Sequence, residues 1–302
     1  MRILSKPKGN AEEYGRWSVN PFVGCWHECL YCYLKKGVWK NTLGGKSPQL
    51  KKGILNEDHA KHIAMAEILD NKKQIIKDGG VFMTFTSDPL ILRRTFFLFS
   101  EIARECNREK IPVTVLTKVG LDEFRGHMDL FLSYWGTIRN LSMGWTLTGH
   151  DELEPFASKN DDRIALMYEY HKMCSPYFTK LWASIEPVID FNSSFNMVER
   201  ALNSGCRHFK IGLLTCNTHV VRKEIKLGEY KFDAYKREEC IRFINNVMEL
   251  TEGLATVYWK NSFVEFLGSA PIDGMTADGI LHQWPHSVDK NWRFFKTESE
   301  ES

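Results

Sequence analysis

The sequence predicts an α/β protein, a parallel sheet fed by repeated βα units. Three observations predict it. Short β-branched or apolar runs recur along the chain, helix-length amphipathic stretches separate them, and those stretches end on Gly or Pro stop signals. With 302 residues, 43% hydrophobic and 26% charged, the chain can bury one substantial core, and α/β barrels of this length are routinely single domains. One domain is expected.

The first strand is expected over 17–24 and leads into a cysteine-rich loop. Residues 35–56, rich in Lys, Gly and Ser, read as a long loop. A helix over 59–77 stops at Asp78-Gly79-Gly80, just before a strand over 81–87. The helix over 93–109 is closed by Ile111-Pro112, since Pro cannot continue it, and a strand follows over 113–118. Further strands fall at 141–148, 181–189 and 209–215, with a seventh at 255–260. Helices over 163–173, 196–204 and 236–252 lie between them, the last two stopped by Ser204-Gly205 and Glu252-Gly253. The tail over 297–302 is acidic and expected to be disordered.

Composition excludes some function classes. No apolar run approaches the ~18 residues of a membrane span, and the opening Met1-Arg2-Ile3-Leu4-Ser5-Lys6 has no apolar signal core, so a soluble, cytoplasmic protein with no membrane partner is expected. A net charge of +2 neither demands nor rules out a polyanionic partner. Nine Trp and 19 Phe are expected mostly in the core, where large rings dominate buried area.

The chemistry is concentrated at Cys25-Trp26-His27-Glu28-Cys29-Leu30-Tyr31-Cys32, a C-x3-C-x2-C pattern. Three thiolates on one short loop can ligate three irons of a [4Fe–4S] cube, whereas an electron-transfer cluster usually has four Cys ligands. One iron is then left open, by the logic that separates open catalytic metal sites from closed structural ones. A zinc site would need a fourth Cys or His at paired spacing, and Cys106, Cys174, Cys206, Cys216 and Cys240 stand singly. A disulfide framework is disfavoured by chain size and sparse cysteines.

The stretch Asn20-Pro21-Phe22-Val23-Gly24-Cys25-Trp26-His27-Glu28-Cys29-Leu30-Tyr31-Cys32-Tyr33 resembles the N-P-x-x-G-C-x-H-x-C-x-Y-C-Y segment of radical S-adenosylmethionine (SAM) proteins of the spore photoproduct lyase-like group, which includes related phage-encoded proteins. The resemblance spans about 17–260. It implies a partial (β/α)6 TIM-like barrel with a C-terminal extension over 261–302. It also implies a [4Fe–4S] cluster on Cys25, Cys29 and Cys32, SAM chelated at the open iron, and an electron donor of flavodoxin or ferredoxin type. The implied reaction is reductive cleavage of SAM to a 5′-deoxyadenosyl radical that abstracts hydrogen from a substrate. A nucleobase in nucleic acid, or a nucleotide, is the substrate implied, for repair or modification. Two rival classes are a radical SAM enzyme acting on a peptide or small metabolite, and a non-enzymatic iron–sulfur or zinc protein.

Sites in parallel α/β barrels form at the carboxyl ends of the strands. Tyr31 and Tyr33 resemble the aromatics flanking the SAM adenine, Tyr31 at the more diagnostic position; packing under the loop is the alternative. Thr86-Ser87-Asp88 looks like the family's T-S-D segment beside SAM, and Asp88-Pro89 also suits an ordinary turn. No cysteine neighbours that segment, the next after Cys32 being Cys106 in an expected helix, which argues against simple photoproduct repair. Leu116-Thr117-Lys118 is similar to the family's L-T-K element, in which the Lys pairs with the SAM carboxylate; a solvated Lys is the alternative. Ser142 and Thr146 share a strand face with Gly144, and their hydroxyls either reach SAM or are satisfied within the barrel. The segment 151–155 reads as loop architecture without a chemical role. Glu186, a carboxylate in an apolar strand, must be paired. It either faces SAM, as the resembling S-I-E-P element implies, or pairs with Lys210 on the next strand. Trp259 and Lys260 suit either a substrate mouth or an amphipathic edge strand. His150, His208, His219, His282 and His286 show no metal-like spacing and read as structural. No catalytic residue is assigned.

Overall fold

Val, Ile and Leu at alternate positions form strands that bury both faces, as in a sheet whose crossovers are helical. The computed structural model describes residues 2–35, 47–174, 179–214 and 224–267. Cys216, His219, His282, His286, the acidic tail and all of the expected extension beyond residue 267 lie outside the described residues. The chain opens with β1 (Leu4–Ser5), β2 (Ser18–Val19) and β3 (Phe22–Val23), and after the cysteine loop β4 (Gln49–Leu50) pairs back on β3. Next come α1 (Glu57–Asp70), α2 (Lys72–Lys77), β5 (Val81–Met83), α3 (Arg93–Arg108), β6 (Val113–Thr117), α4 (Met128–Trp135), β7 (Leu141–Thr146) and α5 (Asn160–Met173). The second half runs β8 (Thr179–Val188), α6 (Phe191–Asn203), β9 (His208–Leu213), the hairpin β10 (Glu224–Leu227) and β11 (Tyr230–Asp233), α7 (Arg237–Thr251), β12 (Thr256–Trp259) and α8 (Asn261–Leu267).

The central sheet has the order β1-β2-β5-β6-β7-β8-β9-β12. From β2 to β12 every neighbouring pair is parallel, and only β1 is antiparallel. Among the described residues β1 and β12 are the outermost strands, the α/β sheet forms a partial barrel, and the seventh expected strand joins it as β12. Side chains such as Val113, Val115, Met143 and Ile185 face the helices and build the main core with Phe99, Ile102 and Trp135. Facing inward are Phe82 and Trp182, packed with Tyr14, Phe85 and Leu116. Gly144 makes room for that filling, because a Cβ there would stand 2.1 Å from Trp182 Cε2.

Several expected elements are shorter, and local chemistry explains why. The strand over 17–24 is two strands, since Pro21 lacks an amide hydrogen and cannot sustain the ladder. The strand over 81–87 ends at Met83, because Asn20 Oδ1 takes the Thr84 hydroxyl (2.7 Å) and the Phe85 N–H (2.8 Å) out of it. The helix over 59–77 breaks at Asn71, whose amide competes for the backbone by donating to the Glu67 carbonyl at 2.8 Å. The helix expected from 196 starts at Phe191, where Asp190 caps it by accepting the Ser193 N–H at 2.8 Å. β4 arises within the expected loop over 35–56, while α4 and the β10–β11 hairpin carried no sequence expectation. The hairpin roofs the carboxyl end of the sheet. Ile225 and Leu227 pack there with Cys29, Tyr31, Leu153, Ile189 and Leu214.

Candidate active site

The cysteine loop leaves β3 through Gly24, whose φ of 98° falls in the left-handed region that suits glycine. Cys29 is buried, Cys25 and Cys32 are half-buried, and all three are free thiols. Burial pushes each thiol up, Cys29 to about 11 and Cys25 well above the ordinary thiol value with Asp88 as the next cause. Cys106, Cys174, Cys206 and Cys240 are buried apart from the loop, in or beside α3, α5, β9 and α7. Among the described residues no three His, Cys, Asp or Glu side chains converge tightly enough for a single metal ion. A cube binds each thiolate at a separate iron and does not require such convergence.

Two buried networks hold the loop. In the first, the Tyr31 hydroxyl donates to Glu154 Oε1, and Lys118 Nζ donates to the Tyr31 oxygen (2.6 Å) and to Glu154. Arg163 closes the network, its Nη2 2.6 Å from Glu154 Oε2 and its Nε and Nη1 on the carbonyls of Ser158 and Thr146. Burial alone would raise the Glu154 pKa, but Lys118 and Arg163 together hold it down at about 2. The Leu30 N–H adds a backbone tie to the Leu153 carbonyl at 2.8 Å. In the second network His27 Nε2 lies 2.8 Å from Asp88 Oδ2. Asp88 also accepts from Thr117 Oγ1 and from the N–H groups of Leu90 and Lys118. Its bond to the Leu90 N–H is the turn geometry that Asp-Pro suits. The Asp88 carboxyl is lowered despite burial, first by the bond to His27.

A third cluster lies across the sheet opening. The Tyr14 hydroxyl meets Ser184 Oγ at 2.8 Å and donates to Glu186. Lys260 Nζ donates to both Glu186 oxygens at 2.8 and 2.7 Å, and lies 3.5 Å from Glu13 Oε2. Of the two alternatives open for Glu186, the ion pair with Lys210 is replaced by one with Lys260. Glu186 takes Lys260 from β12's end, Gly212 leaving room for both side chains, while Lys210 Nζ donates to the Glu13 carbonyl. Lys260 is only 2% exposed and Trp259 1%, so neither forms an open substrate mouth.

The expected residues are thus partly convergent. Tyr31, Lys118 and Asp88 meet at the loop, and Tyr33, half exposed, donates through its hydroxyl to the Phe85 carbonyl. Thr86 donates to the Phe22 carbonyl at 2.5 Å. Ser142 and Thr146 are buried, with carbonyls accepting from Trp182 Nε1 and Arg163 Nη1. The Ser87 hydroxyl is shielded from solvent and makes no hydrogen bond among the described residues. Three thiols on one loop, with Ser87 next in sequence to the Asp88 that holds His27 of that loop, suit a polar cofactor over a cluster.

Sequence reasoning missed Tyr14, Glu154, Arg163 and the pairing role of His27. One signal was present, because Glu154-Pro155 repeats the Glu186-Pro187 dipeptide that did draw attention. His150, read as structural, lies between Asp190 (2.5 Å) and Glu152 (2.7 Å), which outweigh burial and raise its pKa. A cavity of about 620 Å³ lies elsewhere, lined by Asp190, Phe195, Asp233, Tyr235 and Arg242 among others, and none of the expected site residues borders it. The buried chemistry at the cysteine loop is the better site by that test.

The fold is similar to that of Streptococcus suis SuiB. The crystal structure of SuiB bound to S-adenosylmethionine matches with a TM-score of 0.52 at 14% identity, covering 80% of this chain and 49% of that one. The SuiB structure described without that ligand matches at 0.51 and 12% identity, covering 82% and 51%. The chain spans about half the length of these structures, and at such identity the likeness is one of fold. No family model matches the chain, and no curated protein does. No helix among the described residues is long and apolar enough to cross a membrane.

Proposed function

We propose that this chain is a radical SAM enzyme, with Cys25, Cys29 and Cys32 ligating a [4Fe–4S] cluster and SAM completing its open iron. The observation that carries the reading is the C-x3-C-x2-C loop at the carboxyl edge of a parallel partial barrel. The fold likeness to a protein crystallised with SAM supports it. When bound, cluster and SAM supply the one-electron cleavage that makes a 5′-deoxyadenosyl radical, the cofactor carrying the difficult chemistry. The chain's own residues bind, orient and shield. Lys118 offers its ammonium to the SAM carboxylate, a charge-assisted contact in a partly dry site. Ser87 offers its hydroxyl, Tyr31 and Tyr33 flank the adenine, and Thr86 and Thr146 line the carboxyl strand ends below, whereas Ser142 lies near the amino end of β7, away from that rim. Glu186, fixed by Tyr14 and Lys260, faces the same space from the opposite side.

The substrate we assign is a nucleobase in nucleic acid or a nucleotide, on the strength of the motif resemblance, with a flavodoxin- or ferredoxin-type donor in a reducing cytoplasm. Iron and sulfide analysis after anaerobic reconstitution tests the cluster. Cys29→Ala should lose iron and Cys106→Ala should retain it; iron in neither or equal iron in both contradicts the assignment. Salt-sensitive oligonucleotide binding tests the substrate class, because phosphate contacts release counterions. Its absence points instead to a peptide or small metabolite.

A further inference from the structure

Building on that reading, we propose that Asp88 is a positioning residue, which through His27 sets the cluster loop against Lys118, and is not itself a contact to SAM. His27 stands two residues from Cys25 and two from Cys29, and is 4% exposed. Both of its ring nitrogens face acceptors, Nε2 at 2.8 Å from Asp88 Oδ2 and Nδ1 at 3.3 Å from the Phe156 carbonyl. The Phe156 N–H returns a bond to the His27 carbonyl at 3.3 Å. One side chain therefore clamps the middle of the loop between the segment after β5 and the segment after β7.

Asp88 has no capacity left for a ligand. A carboxylate offers about four lone-pair directions, and here the partners are four: His27, Leu90 N–H at 2.9 Å, Thr117 Oγ1 at 2.8 Å and Lys118 N–H at 2.8 Å. The residue is 5% exposed. Its contact to the Lys118 amide matters most. Lys118 is then fixed at its backbone by Asp88 and at its Nζ by Tyr31, a loop residue between Cys29 and Cys32. One carboxylate thus sets the spacing between the thiols and the ammonium assigned to the SAM carboxylate. Outer partners of metal sites act this way, and their loss costs roughly 10–100-fold in metal affinity.

Asp88→Asn and His27→Gln test it, each reconstituted anaerobically beside the unaltered protein. Both should lose iron to a chelator at least about tenfold faster, and the loaded fraction of both should bind SAM more weakly. The decisive comparison is between the two. If Asp88→Asn weakens SAM binding while His27→Gln keeps wild-type iron retention and SAM affinity, Asp88 touches SAM directly and the proposal is overturned; wild-type behaviour of both overturns it as well. Should Asp88→Asn not fold by circular dichroism, Thr117→Val removes one of the four partners and should give intermediate iron retention. If the unaltered protein takes up no iron, the functional reading fails, and amide exchange in the metal-free protein still decides the latch. His27→Gln should then speed exchange at Phe156 and Lys118 but not at Val115, and unchanged rates would refute it.

Discussion

Glu154 and Arg163 form an ion pair from which solvent is excluded on both sides, with Nη2 2.6 Å from Oε2 and neither side chain exposed. The pair stands directly behind the cysteine loop, since Glu154 also takes the Tyr31 hydroxyl and the Lys118 ammonium. Buried charges are tolerated only with such complete pairing.

Glu154→Gln should accordingly leave Arg163 without its counter-charge and destabilise the fold by about 3–5 kcal/mol. The pH dependence follows from the depressed carboxyl. A group at about 2 in the folded chain and near 4.5 when unfolded contributes fully above pH 4.5, and that contribution is lost as pH falls toward 2. Chemical denaturation at pH 7 and pH 3 checks this. The gap between variant and wild type should narrow at pH 3, and a constant gap would contradict the assignment.

Lys210 gives a prediction of the opposite kind. Burial, and then the neighbouring Lys260, lower its ammonium to about 7 from 10.5. The folded chain then binds fewer protons than the unfolded one between those values, so stability rises with pH across them and the penalty is greatest below about 7. Lys210→Met should therefore compare better with wild type at pH 6 than at pH 9 in thermal melts. A difference independent of pH would show that the amine is not carried at this cost.

Gly144→Ala places a methyl 2.1 Å from Trp182 Cε2 and 2.3 Å from its Nε1. Overpacking of this kind costs about 1–3 kcal/mol and sometimes more. A lowered melting temperature with altered tryptophan emission is expected, and an unchanged melt would mean that Trp182 does not fill the barrel.

Lys118→Met tests the cofactor contact apart from the cluster. Glu154 keeps Arg163 in this variant, so iron content should hold, while SAM affinity should fall about tenfold or more, as expected for loss of a charge-assisted bond. Equal SAM affinity in the two proteins would remove Lys118 from the site.

How much of this was legible depended on range along the chain. The βα repeat could be read because strand and helix periodicities are local, and β5 to β9 and β12 all fell within or near expected segments. The cysteine loop could be read because its three cysteines fall within eight consecutive residues. His27 with Asp88 and Tyr14 with Glu186 could not, being 61 and 172 residues apart. Their pairing exists only once the sheet order is set. Glu186 illustrates the limit, since its need for a partner was evident from its apolar strand, but the choice of Lys260 over Lys210 depends on β12 lying beside β9 and on the space left at Gly212.

The central claim is that Cys25, Cys29 and Cys32 hold a cluster that cleaves SAM. Its most direct test is anaerobic reconstitution followed by SAM and dithionite, with 5′-deoxyadenosine measured by chromatography. The account predicts about four irons per chain and time-dependent 5′-deoxyadenosine, both abolished in Cys29→Ala. A reconstituted protein with a full cluster and no 5′-deoxyadenosine, or one with no iron at all, would contradict it.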